Sequence, residues 1–335
     1  PTLNDLTKPI ENNGGFINAF TTDEATCYEV VAPSTMLEES VARLADMVSH
    51  PLMKSDDIEL ERNIILEEFR NKLASVHFFA RRELFKGLLG NHPLVHSVIG
   101  TEETLRHITQ GDLNDFHQRY YNGSNIILFF AGGFSKKALI ELCERYFASI
   151  PNGEKTKRDI TVITPPKSGY AVSLAPQQYN RSVYILGRVI PRSTPNQLEM
   201  WKLLASMLAR GLTSPLYEEI REKRGLAYDL AAFHEIYQDI GLLIFVVSTQ
   251  FRHMAEIDRI IWDQVEKILH NTARFEEMRT TQKQLALYRE YNVGSLVDAA
   301  LDDYLNTGTI ISLNEEINRL GSMTLKAIES HTSPL

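Results

Sequence analysis

Glu61 and Glu68 stand seven residues apart in Glu61-Arg-Asn-Ile-Ile-Leu-Glu-Glu68. On an α-helix that spacing puts them two turns apart on nearly one face, about 10 Å along the axis. The two carboxylates cannot ligate one ion at equal distance, but one can bind it while the other supports the site from behind. The chemistry in view is half a metal centre, because no pair of histidines in a helical pattern accompanies the carboxylates. A solvated acidic face is the simpler account of such a pair. Against it, Ile64, Ile65, Leu66 and Phe69 make the helix apolar over much of its circumference. At least one of the acidic residues is therefore expected to point inward, where an unpaired charge is costly and a cation is wanted.

None of the histidines is a clear substitute for the absent ligands. His92-Pro-Leu-Val-His96 has the i, i+4 spacing of a metal pair, but it has no glutamate between and sits in a Gly-Asn-His-Pro context that reads as a loop. His234 reads as a strand-edge or loop residue, and His50, before Pro51, as a helix-terminal residue suited to the negative end of the dipole.

The elements that must position these groups can be read from periodicity. A polar opening helix stops at Asn12-Asn13-Gly14-Gly15 and leads into two antiparallel strands, Phe16–Thr21 and Ala25–Val31. Helices are expected at roughly 36–49, 56–89, 112–121 and 135–148, with Asp112 as an N-cap and one strongly apolar strand at 126–131. Residues 151–168 are rich in Pro, Lys, Thr and Gly and read as a linker. Strands then follow at about 170–175, 181–189 and 241–248, with helices near 196–209, 215–223, 252–270, 274–291 and 313–331.

The layout from Glu38 to Asn71 returns from Met254 to Glu290, with Gln in the second long helix where carboxylates stood in the first. The expectation is an α+β protein of two duplicated domains, each a mostly antiparallel sheet with helices packed on one face. They are placed at 1–152 and 169–335, joined by a linker at 153–168, and only the first keeps acidic chemistry.

Composition narrows the class. A chain of 335 residues with 43% hydrophobic and 23% charged residues is ordinary for a globular protein that buries a large core. A formal charge of −8 with no basic stripe excludes a nucleic-acid backbone as the expected partner. No run of 18 apolar residues is present, so no membrane span is expected. Cys27 and Cys143 are too few for a disulfide framework or a thiolate metal site, which points to a cytoplasmic setting. The chain opens Pro-Thr-Leu-Asn without an initiator methionine, so an upstream segment is expected to exist in the native protein.

Five stretches occur in a recognisable order: Asn13–Tyr28, Ile58–Glu68, Gly100-Thr-Glu-Glu103, Tyr120-Tyr121, and Leu216-Tyr-Glu-Glu-Ile-Arg-Glu-Lys-Arg-Gly-Leu-Ala-Tyr228. In this the chain resembles the pitrilysin/insulinase-type zinc metallopeptidases, in their short two-domain branch, over essentially its whole length. The family's H-x-x-E-H segment, which supplies two zinc-binding histidines and the general base, falls about ten residues before Pro1 by the family spacing. The resemblance implies a zinc endopeptidase that cleaves extended or unfolded peptides, with Glu68 as a zinc ligand and Glu61 as the second acidic residue of the site.

It further implies that Arg224 and Tyr228 hold substrate and stabilise the oxyanion, and that Asn18, Ala19 and Phe20 form a strand offering its edge to a peptide. A homodimer enclosing a chamber is expected from the same likeness. Residues 223–228 also read without chemistry, as a helix C-terminus with Lys223 and Arg224 on the dipole, Gly225 as C′ and Tyr228 in a strand. The alternative function is a non-catalytic peptidase-like subunit that binds peptides or a partner protein.

Overall fold

Gly14 adopts φ +79°, the left-handed conformation that ends the first helix, α1 (Leu3–Glu11), and turns the chain into β1 (Phe16–Thr21). This computed structural model describes residues 3–157, 161, 163, 169–174, 182–190 and 195–332. Much of the expected linker at 153–168 lies outside the described residues. The chain divides into two compact units, residues 1–71 with 96–159 and residues 72–95 with 160–335.

In the first unit β1 pairs antiparallel with β2 (Thr26–Val31), with Asn18 opposite Glu29, Ala19 opposite Tyr28 and Phe20 opposite Cys27. Helix α2 (Leu37–Ser49) buries Val41, Ala45 and Val48, and its C-cap His50 lies 3.3 Å from Asp46. Helix α3 (Ser55–Leu73) buries only Leu66 and Phe69. Helices α5 (Glu102–His107), α6 (Gln110–Tyr120) and α7 (Lys136–Phe147) complete the unit. Arg62 of α3 ties α5 down by donating to the carbonyls of Leu105 and Ile108. Arg145 and Tyr146 of α7 both reach Glu38 of α2, at 2.8 and 3.0 Å.

Two local expectations need correction here. The N-cap of α6 is Thr109, whose Oγ1 accepts from the Asp112 N–H at 3.2 Å while Asp112 accepts back from the Thr109 N–H at 2.8 Å. Asp112 is thus the far member of a capping box rather than the cap. The apolar run 126–131 forms no strand, and Ile127 and Leu128 are exposed. A strand needs a ladder partner, and in this unit the described strands β1 and β2 pair with each other.

The expected helix 56–89 breaks at Ser75, whose extended backbone (φ −84°, ψ 117°) caps a separate helix α4 (Val76–Leu89). Helix α4 belongs to the second unit, so the division is not a single cut near the linker. The reason is burial, because Ala80, Leu84, Phe85 and Leu88 pack with Val183, Ile185, Leu242 and Ile244 on one face of that unit's sheet.

That sheet has strand order β3-β4-β6-β5, all antiparallel: β3 (Tyr170–Leu174), β4 (Ser182–Ile190), β5 (Ala227–Ile236) and β6 (Gly241–Thr249). Its other face presents Tyr184, Leu186, Leu243 and Phe245 to the core formed with helices α8 (Pro195–Ala209), α10 (Met254–Ile268) and α11 (Thr272–Arg289). Cover on both faces explains why β4 and β6 are apolar almost throughout. The second face is filled by α4, beyond the one-sided cover expected from sequence.

Between α8 and β5 lies α9 (Pro215–Tyr217), which continues as a widened turn over Glu218–Glu222. Helices α12 (Val293–Thr307), α13 (Leu313–Ser322) and α14 (Leu325–Thr332) close the unit. Strand β5 was expected only through the strand reading of Tyr228 and the strand-edge reading of His234, helix α12 was not among the expected elements, and the single helix expected at 313–331 is broken at Met323. The α+β repeat is visible in element order. Hairpin, 3-10 turn and two helices run from β1 to α3 in the first unit and from β5 to α11 in the second.

Candidate functional site

Both candidate carboxylates of α3 face solvent. Glu61 and Glu68 are exposed, and the inward positions of the helix are taken by Leu66 and Phe69. Ile64, counted on for the buried face, is 54% exposed, so the expectation of an inward acidic residue is overturned. The apolar residues of α3 exceed what its neighbours cover. Other charges on the helix pair along it, Arg62 with Glu59 and Arg70 with Glu67. Among the described residues no group of three or more His, Cys, Asp or Glu side chains is placed to hold a metal. The donor set present therefore does not make a zinc site by itself.

A second group of predicted residues is built by the turn from α9 into β5. Lys223 N–H donates to the Glu218 carbonyl at 2.9 Å, the i to i+5 bond of a widened helical turn, a feature frequent at functional sites. Gly225 then takes φ +60°, and the Leu226 N–H closes back on the Ile220 carbonyl at 2.8 Å. In β5, Ala227 pairs with Thr249 and Asp229 with Ser248, which leaves Tyr228 as the extra residue of a β-bulge. A bulge re-aims the side chain it inserts, and Tyr228 is 71% exposed although its neighbours Leu226 and Ala227 are buried in the core.

The cation that meets Tyr228 is Arg221. Its guanidinium carbon lies 4.6 Å from the Tyr228 ring centroid, and its Nη1 donates to the Tyr228 carbonyl at 3.3 Å. Arg224 is engaged by Glu219, through both carboxylate and carbonyl, and lies 3.7 Å from Glu256. Hydrogen bonds from Lys223 and Arg224 hold the Glu219 carboxyl below its usual range. Sequence reading missed Arg221. The signal was available in its i, i+4 spacing from Tyr217, which places the two side chains on one helix face.

Asn18, Ala19 and Phe20 lie on β1 and are exposed. Among the described residues β1 has β2 as its one ladder neighbour, so its other edge presents backbone donors and acceptors of the kind an extended chain can pair with. Nearby in the same unit the Tyr28 and Tyr121 hydroxyls lie 2.8 Å apart, and burial pushes the Tyr28 phenol above its usual value.

His92 is fully buried, its Nε2 3.3 Å from Asp239, while its Nδ1 accepts from the Leu94 N–H at 3.2 Å. It is a core histidine that joins segments of the second unit. His234 lies on β5, an edge strand of the sheet, and burial pushes it down to about 4, with Lys202 adding to the shift. In the same unit, burial raises Glu199, Asp302 and Asp303 above the usual carboxylate range. Lys202 and Arg289 offset part of the burial penalty at Glu199, and Arg289 pairs with Glu316.

Among the described residues no helix is long and apolar enough to cross a membrane. Two family models match, one described as insulinase (peptidase family M16) over residues 1–102 and one as the peptidase M16 inactive domain over residues 107–285. An uncharacterized zinc protease of Mycobacterium leprae is 28% identical over 85% of this chain, which spans 64% of that relative's length. Another from Mycobacterium bovis is 27% identical over 79% of this chain and is spanned to 60%. A protease from Helicobacter pylori of known structure matches over 97% of this chain and 80% of its own, with TM-score 0.87 and 20% identity. A peptidase M16 inactive domain from Pseudomonas fluorescens matches with TM-score 0.83 and 19% identity, over 97% of this chain and 79% of its own. These two structures share the fold.

Proposed function

Because this chain belongs to the insulinase family of M16 peptidases, we propose that it forms part of a zinc-dependent endopeptidase acting on extended or unfolded peptides. The supporting observation is Tyr228, held out from a β-bulge with the Arg221 cation on its ring. The phenol of Tyr228 is the proposed donor to a carbonyl oxygen as it becomes an oxyanion, an interaction that strengthens as charge develops. Arg224 is proposed as the clamp on a peptide carbonyl or carboxylate, which it would meet by exchanging one of its two carboxylate partners. The open edge of β1 at Asn18, Ala19 and Phe20 takes the peptide through main-chain hydrogen bonds, which give affinity with little demand on sequence.

Glu68 is the proposed zinc ligand of this chain and Glu61 its support. The described residues offer no third ligand beside them, so the contribution derived for these residues is the holding of peptide and oxyanion. The proposed assembly is a homodimer, and sedimentation velocity of the purified chain checks it.

A second reading, a non-catalytic subunit that binds peptides or a partner, is favoured by the description of the family model over residues 107–285 as an inactive domain. The experiment that separates the two readings is intact mass and zinc content of the protein purified from its natural source, alongside cleavage of an unfolded reporter. A mass several kilodaltons above 38.1 kDa with stoichiometric zinc and cleavage supports the peptidase. A mass equal to that of this chain, with neither zinc nor cleavage, supports the binding subunit.

A further inference from the structure

Three cations follow one another in Arg221-Glu-Lys-Arg224, and carboxylates hold only two of them closely. Lys223 reaches Glu218 at 2.9 Å and Glu219 at 2.7 Å, and Arg224 is bound by Glu219. The carboxylate that approaches Arg221 is that of Glu222, at 3.6 Å from Nε. Aromatic rings hold Arg221 instead, since its guanidinium carbon lies 4.8 Å from the Tyr217 centroid as well as 4.6 Å from that of Tyr228.

Tyr217 is itself fixed. It ends α9, packs against the buried core of the second unit, and is followed at once by the widened turn Glu218–Glu222. Leu216, just before Tyr217, and Ile220, within the turn, are 2% and 0% exposed. Tyr217 therefore joins a rigid base to the exposed Tyr228 by way of one guanidinium.

We infer that Tyr217 is a positioning residue, whose ring holds the Arg221 guanidinium against Tyr228 and so sets the direction in which the Tyr228 hydroxyl meets a peptide. The inference rests on the reading that Tyr228 faces substrate. A cation stacked on ring faces keeps its planar orientation without a carboxylate to compete with a bound carbonyl. The backbone bond from Arg221 to the Tyr228 carbonyl passes that orientation on to the bulge.

The test uses the full 335-residue chain and the variants Tyr217→Phe and Tyr217→Leu, with Tyr217→Met where leucine does not fold. The first readout is the NMR signal of the Arg221 δ-methylene, assigned by its loss in Arg221→Lys. Two stacked rings place it upfield of the other arginines in the wild type and in Tyr217→Phe, and it moves back toward them in Tyr217→Leu. The second is affinity for an extended, uncharged reporter peptide. Tyr217→Leu weakens it about fivefold, the loss of one cation–π contact, while Tyr217→Phe leaves it unchanged. An Arg221 signal that does not respond to Tyr217→Leu, or a phenylalanine variant that binds as poorly as the leucine one, overturns the inference. If the wild type binds no peptide, the proposed function fails, and the NMR signal still decides whether Tyr217 fixes Arg221.

Discussion

Gly187 of β4 and Leu88 of α4 approach so closely that a Cβ on the glycine would lie 2.6 Å from the leucine Cδ1 and 2.9 Å from Cδ2 of Leu84. Helix α4 is therefore seated on the sheet through a gap that only glycine leaves. Gly187→Val is expected to lift α4 and destabilise the second unit by about 2 kcal/mol, the usual scale for overpacking a core. Leu84→Ala, which empties the same contact from the other side, is expected to cost about 3 kcal/mol. Urea denaturation monitored at a second-unit probe such as Trp262 checks both. Wild-type stability in either variant would mean that α4 does not depend on this seat.

The carboxylates and the histidine around Lys202 oppose one another in pH. Glu199, Asp302 and Asp303 are raised by burial, so the fold favours their protonated forms. Their contribution is complete below the ordinary carboxylate range near pH 4 and is lost as pH rises through their raised values. His234 is lowered to about 4, so its contribution is present above its usual 6.5 and is lost as pH falls toward 4. By the size of that shift the histidine contributes at most roughly 3 kcal/mol. Thermal unfolding across pH 4 to 8, on the order of half-unit steps, should show a maximum inside the range. His234→Gln is expected to flatten the acid side and Glu199→Gln the alkaline side. Identical profiles for wild type and Glu199→Gln would show that the carboxylate cluster does not control that limb.

Periodicity carried most of the element order, because α2 and α10 each bury one clean face and the first hairpin is bounded by turn residues at Gly14-Gly15 and between its strands. It failed where the outcome depended on what packs against a segment. The run 126–131 has strand composition and no ladder, and α3 has more apolar residues than its neighbours cover, which turned the inferred direction of Glu61 and Glu68 outward. The break at Ser75 was legible as a cap signal, with its Oγ accepting from the Phe78 N–H, but the apolar pattern on both sides hid it. The Tyr228 bulge depends on the register against β6, which no local pattern encodes. The resemblance points to Arg224 and is silent on Arg221, and only side-chain geometry sets Arg221 against Tyr228.

Arg62 serves α5 as a detached cap. Its side chain is 13% exposed and donates to the carbonyls of Leu105 and Ile108 at the helix C-terminus, where a cation also favours the dipole. Arg62→Ala leaves these carbonyls to water, and the expected loss in the first unit is about 2 kcal/mol. Hydrogen exchange should report it first at the amides of α5, with those of α7 unchanged. Equal acceleration across both helices would mean that Arg62 supports the whole unit and not this end of α5.

Arg221 and Arg224 make opposite predictions for peptide binding. Arg221 orients Tyr228 through ring and backbone, while Arg224 spends its donors on Glu219 and Glu256. If Tyr228 meets the peptide, Arg221→Ala should weaken binding of an unfolded reporter by about tenfold, one ring contact together with one charged hydrogen bond. Arg224→Ala should weaken it by less than about threefold, since that arginine must first leave a carboxylate. Fluorescence anisotropy with a labelled extended peptide measures both, and Tyr228→Phe gives the reference for loss of the hydroxyl alone. A larger effect from Arg224→Ala than from Arg221→Ala would make the Arg224 clamp the dominant contact with the peptide and reduce Arg221 to a brace for the bulge.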